Sequence, residues 1–300
     1  MLLENVKHLK TCGKKKNYCN KQKRKKVILF FSKLYCGNED AVVIDCITQN
    51  IYLSQKKIEK LSSRKYGIGF DYLLVIEPPY DSDDDIYCRI YDKNGNEIIN
   101  DSPELFVMIY HFVYQKGLSN KYSLKIGTSF GSKVINFCKD NLHEIFIGTP
   151  DFEPSNINFK AVKKEKTYIL QLSEKNILCN CLNVFRTLCV VNNPIDDKSV
   201  EEKIASEIIN HERFVADVVV VFIDEKKGSI YKISAYDKQG KVESSISSLS
   251  SMIALYSDKA DDTFTVSLNK KEYTIKKIKN KISLTVNEVV DSVFDGSVQI

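Results

Sequence analysis

The sequence predicts a duplicated α/β protein: two halves of short strands, each gathered around one buried helix, with a cleft between them. Three observations carry this. Two helical stretches are apolar nearly all round, one beginning at Ser102-Pro103-Glu104 and one after Ser244-Ser245, and a helix without a polar face must be enclosed on every side. Strand-like runs flank each of them in the same order, and Gly148-Thr149-Pro150 marks a break between the two series. A chain of 300 residues also suits two domains at roughly 100–200 residues each.

The elements follow in order. Val27-Ile28-Leu29-Phe30-Phe31 opens a strand, and Ala41–Asp45 reads as a second. Ser54 caps a short helix with Ile58 and Leu61 on one face, ending near Gly67. Leu73–Ile76 is a strand, Asp81–Asp85 an acidic turn, and Cys88–Tyr91 a strand leading into the hairpin signal Asp92-Lys93-Asn94-Gly95. Ser102, Pro103 and Glu104 supply a cap, a proline at the first helical position and an acid in the first turn. Gly117 ends that helix, and strands run from about Tyr122 to Ile147. The second half repeats the order: strands, a helix over Ser199–Asn210, strands through Lys232–Tyr236, the serine-rich helix after Ser244, and final strands to Ile300.

The net charge of +5 is unevenly spread. Residues 1–26 hold ten Lys/Arg against Glu4 alone, a charge of +9, so the other 274 residues carry −4. The body is therefore slightly acidic and does not suggest a nucleic-acid-binding surface. The tail reads as a disordered leader, or as a weak contact for polyanions or a membrane surface. No apolar run approaches the roughly 18–20 residues that span a bilayer, and no apolar segment precedes the first lysines, so neither a transmembrane segment nor a secretory signal is expected. A cytoplasmic location follows. Nine cysteines, an odd number, argue against a disulfide framework in such a chain. Cys179, Cys181 and Cys189 lie close in sequence, but none of the four histidines is spaced to complete a zinc site, so no metal and no cofactor is expected.

A series of short matches then becomes visible: Phe31-Ser32-Lys33, Val42-Val43-Ile44-Asp45, Thr48-Gln49-Asn50, Gly67-Ile68-Gly69-Phe70-Asp71, Glu77, Pro79-Tyr80-Asp81, Arg89-Ile90, Lys116-Gly117-Leu118, Glu153-Pro154, Cys189-Val190-Val191, His211-Glu212-Arg213-Phe214 and Asp295-Gly296. Together they resemble diaminopimelate epimerase, from about Phe31 to Ile300. The resemblance implies two pseudo-symmetric domains, each a strongly curved, mostly antiparallel sheet around a central helix. The first would comprise 27–147 with 289–300, the second 148–288. It also implies a homodimer and a cofactor-free conversion of LL- to meso-diaminopimelate, in lysine and peptidoglycan precursor synthesis. In that chemistry one cysteine thiolate removes the α-proton and a second thiol returns one. Each cysteine stands at the start of a buried helix, where the dipole lowers its pKa and free N–H groups hold the substrate carboxylate.

Both cysteines are replaced. The first position falls at Asp101 or Ser102 and the second at Ile246, which cannot exchange a proton. Pro103 removes an N–H from the first helix start and Glu104 adds negative charge there. The family's substrate-binding positions fall on Asn38, Glu39, Tyr72, Asp92, Arg186, Val219, Asp237, Lys238, Ser247 and Ser248, most of them substituted. Positioned general acids and bases each contribute roughly 10²–10⁴-fold, so a degenerate, catalytically inactive relative is the first expectation, and binding of a small amino acid is disfavoured. It would persist as a decaying gene product or as a binding or dimerisation partner. A surviving isomerase with Asp101 or Glu104 as carboxylate base is the alternative, set against ordinary helix capping by those acids. Cys36 and Cys46 read as small buried fillers, set against displaced catalytic thiols near the expected substrate loop, and Cys189 reads as structural.

Overall fold

The computed structural model describes residues 27–300 apart from positions 140 and 193; the basic segment 1–26 lies outside the described residues. The first series of elements is β1 (Ile28–Cys36), β2 (Glu39–Asp45), α1 (Gln55–Ser62), β3 (Tyr72–Glu77), β4 (Ile86–Asp92), α2 (Pro103–Gln115), β5 (Ser123–Thr128), β6 (Gly131–Phe137) and β7 (His143–Gly148). The second is β8 (Tyr168–Gln171), β9 (Asn176–Asn183), β10 (Thr187–Val191), α3 (Lys198–Ile209), β11 (Val218–Lys227), β12 (Ile230–Asp237), β13 (Gly240–Lys241), α4 (Ile246–Tyr256), β14 (Asp261–Leu268), β15 (Lys271–Ile278) and β16 (Lys281–Val286). β17 (Val290–Gln299) closes the chain.

A continuous ladder joins the strands in the order β17-β1-β2-β3-β4-β5-β6-β7-β16-β15-β14-β12-β11-β10-β9-β8, with β13 a short hairpin arm on β12. Outward from the β7–β16 junction the pairings read the same in both directions: two antiparallel, one parallel, one antiparallel, one parallel, two antiparallel. A parallel pair cannot be joined by a tight turn and needs a long crossover. The four helices sit in those crossovers, α1 between β2 and β3, α2 between β4 and β5, α3 between β10 and β11, and α4 between β12 and β14.

Period-two alternation explains why some strands are apolar throughout. Along β2, Ala41 and Val43 join the main core with α2, while Val42 and Ile44 join Ile58 and Leu61 of α1 in a separate cluster. Along β11, Val219 and Val221 face the main core, and Val218, Val220 and Phe222 face Ile204 and Ile208 of α3. A strand covered on both faces needs apolar residues at every position.

α2 and α4 are the enclosed helices. Ten of the thirteen α2 residues are buried, and it packs against β1, β2, β6 and β17. Eight of the eleven α4 residues are buried, against β10, β12, β14, β15 and β16. The turn at Asp92–Gly95 forms as expected, with Asp92 Oδ1 accepting from the N–H groups of Asn94 and Asn96, but only the single bridge Tyr91↔Glu97 follows it. The chain then leaves for α2, so no full hairpin develops. Among the described residues no helix is long and apolar enough to cross a membrane.

Candidate functional site

The starts of α2 and α4 meet in one buried polar layer. Asp101, next to the Ser102 cap of α2, is 1% exposed. Its carboxylate Oδ2 accepts from the Ser247 N–H at 2.8 Å and the Ser245 hydroxyl at 3.1 Å, and its main-chain carbonyl accepts from the Ile246 N–H at 2.9 Å. Ser245 Oγ in turn accepts from the Ser248 N–H at 3.1 Å. The first free donors of α4 are thereby consumed. Arg186 bridges the layer, with Nη1 3.6 Å from Asp101 Oδ1 and Nη2 3.2 Å from Asp237 Oδ2.

Glu104 is fully buried in the first turn of α2. Its Oε1 accepts from the Tyr273 hydroxyl at 2.6 Å and Lys271 Nζ at 3.0 Å, and its Oε2 from the Ser102 and Ser244 hydroxyls at 2.7 and 2.8 Å. Burial alone would raise this carboxyl, but the Tyr273 and Ser102 hydrogen bonds and the Lys271 charge hold it below its ordinary value. The tight β1–β2 turn sits on this ion pair. Gly37 has φ +63°, and a β-carbon there would collide with Lys271 Nζ and Glu104. Glu39, half-buried beside the turn, is pushed up to about 7 by burial and by the Glu104 charge. Burial, then Glu39, raises the Tyr72 hydroxyl.

A cavity of about 100 Å³ remains in the cleft, lined by Glu39, Tyr72, Asn100, Asp101, Arg186 and Asp237 among others. The structure thus brings together Glu39, Tyr72, Asp101, Arg186 and Asp237. Ser247 and Ser248 join the layer through their N–H groups, and the remaining positions lie elsewhere. Asn38 is exposed in the β1–β2 turn, Asp92 organises its own turn, Lys238 pairs with Asp217, and Val219 is core. Ser247 and Ser248 are fully buried, and their hydroxyls find no hydrogen-bond partner among the described residues. Phe106, Leu188, Val219 and Ile246 are all fully buried in the main core.

Lys271, Tyr273 and Lys133 were not singled out by sequence. Lys133 is buried on β6 with Nζ 3.4 Å from the centre of the Phe185 ring. Burial pushes it down to about 8 while the Asp101 charge pulls the other way. Cys36 lies near this layer, but burial and Glu104 push its thiol up to about 12, so it supplies no thiolate at neutral pH. Among the described residues, no group of three metal-ligating atoms gathers in the cleft.

No family model matches the chain. Among solved structures it is similar to a methylitaconate-delta-isomerase, with a TM-score of 0.63 and 10% identity over 92% of this chain and 96% of that one. It is also similar to a hydroxyproline epimerase from Agrobacterium vitis, with bound trans-4-hydroxy-L-proline, at TM-score 0.59 and 11% identity over 91% and 93% of the two chains. A third likeness is to a PhzF-family phenazine biosynthesis protein from Bacillus anthracis, at TM-score 0.55 and 12% identity over 91% of this chain and 100% of that chain. These likenesses show the fold: the chain has the two-domain, sheet-rich architecture of these proteins, which include an isomerase and an epimerase. Fold alone leaves the chemistry to the site.

Proposed function

We propose that this chain is a diaminopimelate-epimerase homologue that has lost thiol-based proton exchange and closes its cleft with its own carboxylate. Its two domains, 27–147 with 289–300 and 148–288, are the pseudo-symmetric lobes of that fold, with α2 and α4 as their central helices, and the protein works in the cytoplasm without a cofactor. The single observation that carries the reading is Asp101. A helix start with free N–H groups is where a substrate carboxylate docks, and at α4 the Ser247 N–H and Ser245 hydroxyl are already bound to the Asp101 carboxylate.

Other features agree. Ile246 stands at the second cysteine position with no exchangeable proton. Glu104, the other acid at that layer, accepts from four donors and is held ionised by them, so it serves as an anchor rather than a base. The remaining cavity of about 100 Å³ is well below the roughly 300–1,000 Å³ of ligand pockets.

The test is to incubate the purified protein with LL-diaminopimelate in D₂O and to follow loss of the α-proton signal by NMR. The expected result is no exchange above buffer. One observation favours a second reading. Glu39, raised to about 7 in the cavity, has the proton affinity that a general base at neutral pH requires. Protein-dependent exchange that disappears in a folded Glu39→Gln variant would establish a rebuilt isomerase and overturn the inactive reading.

A further inference from the structure

Away from the cleft, in the cluster packed against α3, lie three cysteines that the site does not use. Cys179 and Cys181 are two residues apart on β9, so they leave the same face of the strand. β10 runs antiparallel beside it with Cys189 directly opposite Cys181. The Cys179 and Cys181 sulfurs are 3.9 Å apart, and all three sulfurs lie within 4.8 Å of one another.

We propose that Cys179, Cys181 and Cys189 form a three-coordinate binding site for a thiophilic d¹⁰ cation, with Cu(I) as the ion their chemistry fits best. The spacing is the first argument. Metal–thiolate bonds of about 2.3 Å in a trigonal plane place the sulfurs about 4.0 Å apart, so the strands already hold the donors near their ligating positions. The donor set is the second. Three sulfurs with no oxygen or nitrogen partner select soft ions such as Cu(I). Structural Zn(II) takes four ligands. Among the described residues no fourth His, Cys, Asp or Glu joins the group, and exposures of 0%, 3% and 0% keep bulk water from the site.

Charge is the third argument, because thiolates in a core need compensation. Arg213 lies with its guanidinium 4.2 Å from the Phe159 ring centre and 5.4 Å from that of Tyr168, and Tyr168 is the cross-strand partner of Cys179. The other described cysteines, Cys36, Cys46, Cys88 and Cys138, are free and form no such group. Three thiols serving only as apolar filler would not concentrate metal, and this gives the test its contrast.

The experiment titrates the full-length reduced protein, with Cys12 and Cys19 changed to Ser so that only the folded body reports, with Cu(I) under anaerobic competition from bicinchoninate. X-ray absorption then reads the coordination. The expected result is one equivalent bound by sulfur alone at about 2.3 Å. Cys189→Ser and Cys181→Ser should each weaken binding by about 100-fold or more, beyond the roughly 10–100-fold loss typical of a merely supporting residue. Cys36→Ser should leave affinity unchanged. Should a buried hydroxyl unfold the serine variants, as judged by circular dichroism, Cys189→Ala removes the sulfur without it and should show the same loss. Absence of stoichiometric Cu(I) uptake, uptake indifferent to both substitutions, or a preference for Zn(II) over Cu(I) would overturn the proposal.

Discussion

The starts of α2 and α4 lie in the same polar layer, yet they are satisfied by different means. α4 is capped in the usual way, Ser245 accepting from the Ser248 N–H, and its next donor is taken by Asp101 from 146 residues earlier in the chain. α2 has no side-chain cap bond. The Ser102 hydroxyl turns to Glu104, Pro103 has no N–H to satisfy, and the acid of the first turn is neutralised from across the cleft by Lys271 and Tyr273. The ladder treats its two ends alike, but the polar layer does not. The acids Asp101 and Glu104 come from the first series of elements, and apart from the neighbouring Ser102 their side-chain partners Arg186, Ser244, Ser245, Lys271 and Tyr273, with the Ser247 N–H, come from the second. Complementarity that runs in one direction works as a lock between two lobes, and it takes up the groups that a ligand would otherwise meet.

The sharpest way to break this contrast is Asp101→Ala. It strips α4 of an acceptor and leaves the half-buried Arg186 guanidinium with Asp237 alone, a loss worth about 3 kcal/mol, the lower end for a broken buried pair. Urea denaturation should show the fall, and Asp101→Asn, which retains an accepting oxygen, should recover part of it.

Glu104→Gln comes next, at about 1–3 kcal/mol, and it carries a pH signature. The folded carboxyl lies below its ordinary 4.5. Its stabilisation is therefore complete above that value and is lost as pH falls through the lower folded value. The variant should show a flatter acid limb in a plot of stability against pH.

The smallest effect sharpens the comparison. Ser245→Ala should cost about 1 kcal/mol as a lost cap, measured by the same denaturation. Ser102→Ala should act chiefly through its hydrogen bond to Glu104, so its cost should shrink in a Glu104→Ala background, where that acceptor is gone.

Much of this architecture was legible because it is local. Ser102-Pro103-Glu104 marked the start of α2 by a fixed φ and a missing N–H, and the apolar run behind it allowed only burial. Ser199–Asn210 was read as a helix and stands at Lys198–Ile209. The unread parts depend on distant pairing. Lys271 and Tyr273 sit in a strand with no motif, and only the path of β15 brings them to Glu104. Lys133 looks like a surface lysine until β6 turns it towards Phe185. Cys179 and Cys181 are evidently neighbours in the sequence, but the register of β9 on β10 is what adds Cys189. The hairpin expected at Asp92–Gly95 shows the converse, since a turn forms from its own side chains while a returning strand needs a partner.

The pairing of β17 with β1 bears on how the chain is made. The two strands pair from Ile28↔Gln299 to Cys36↔Val290, and the Ser32 hydroxyl donates to Asp295, 263 residues away. On the ribosome β1 emerges early, and β2 can pair with it at once. Its other edge, flanked by Leu29 and Phe31, stays open until β17 has been translated. An uncovered edge is a template for strand addition by another chain, and a contact of such long reach is slow to close. The nascent protein is thus open to mispairing at β1, and it leaves that state only when β17 arrives.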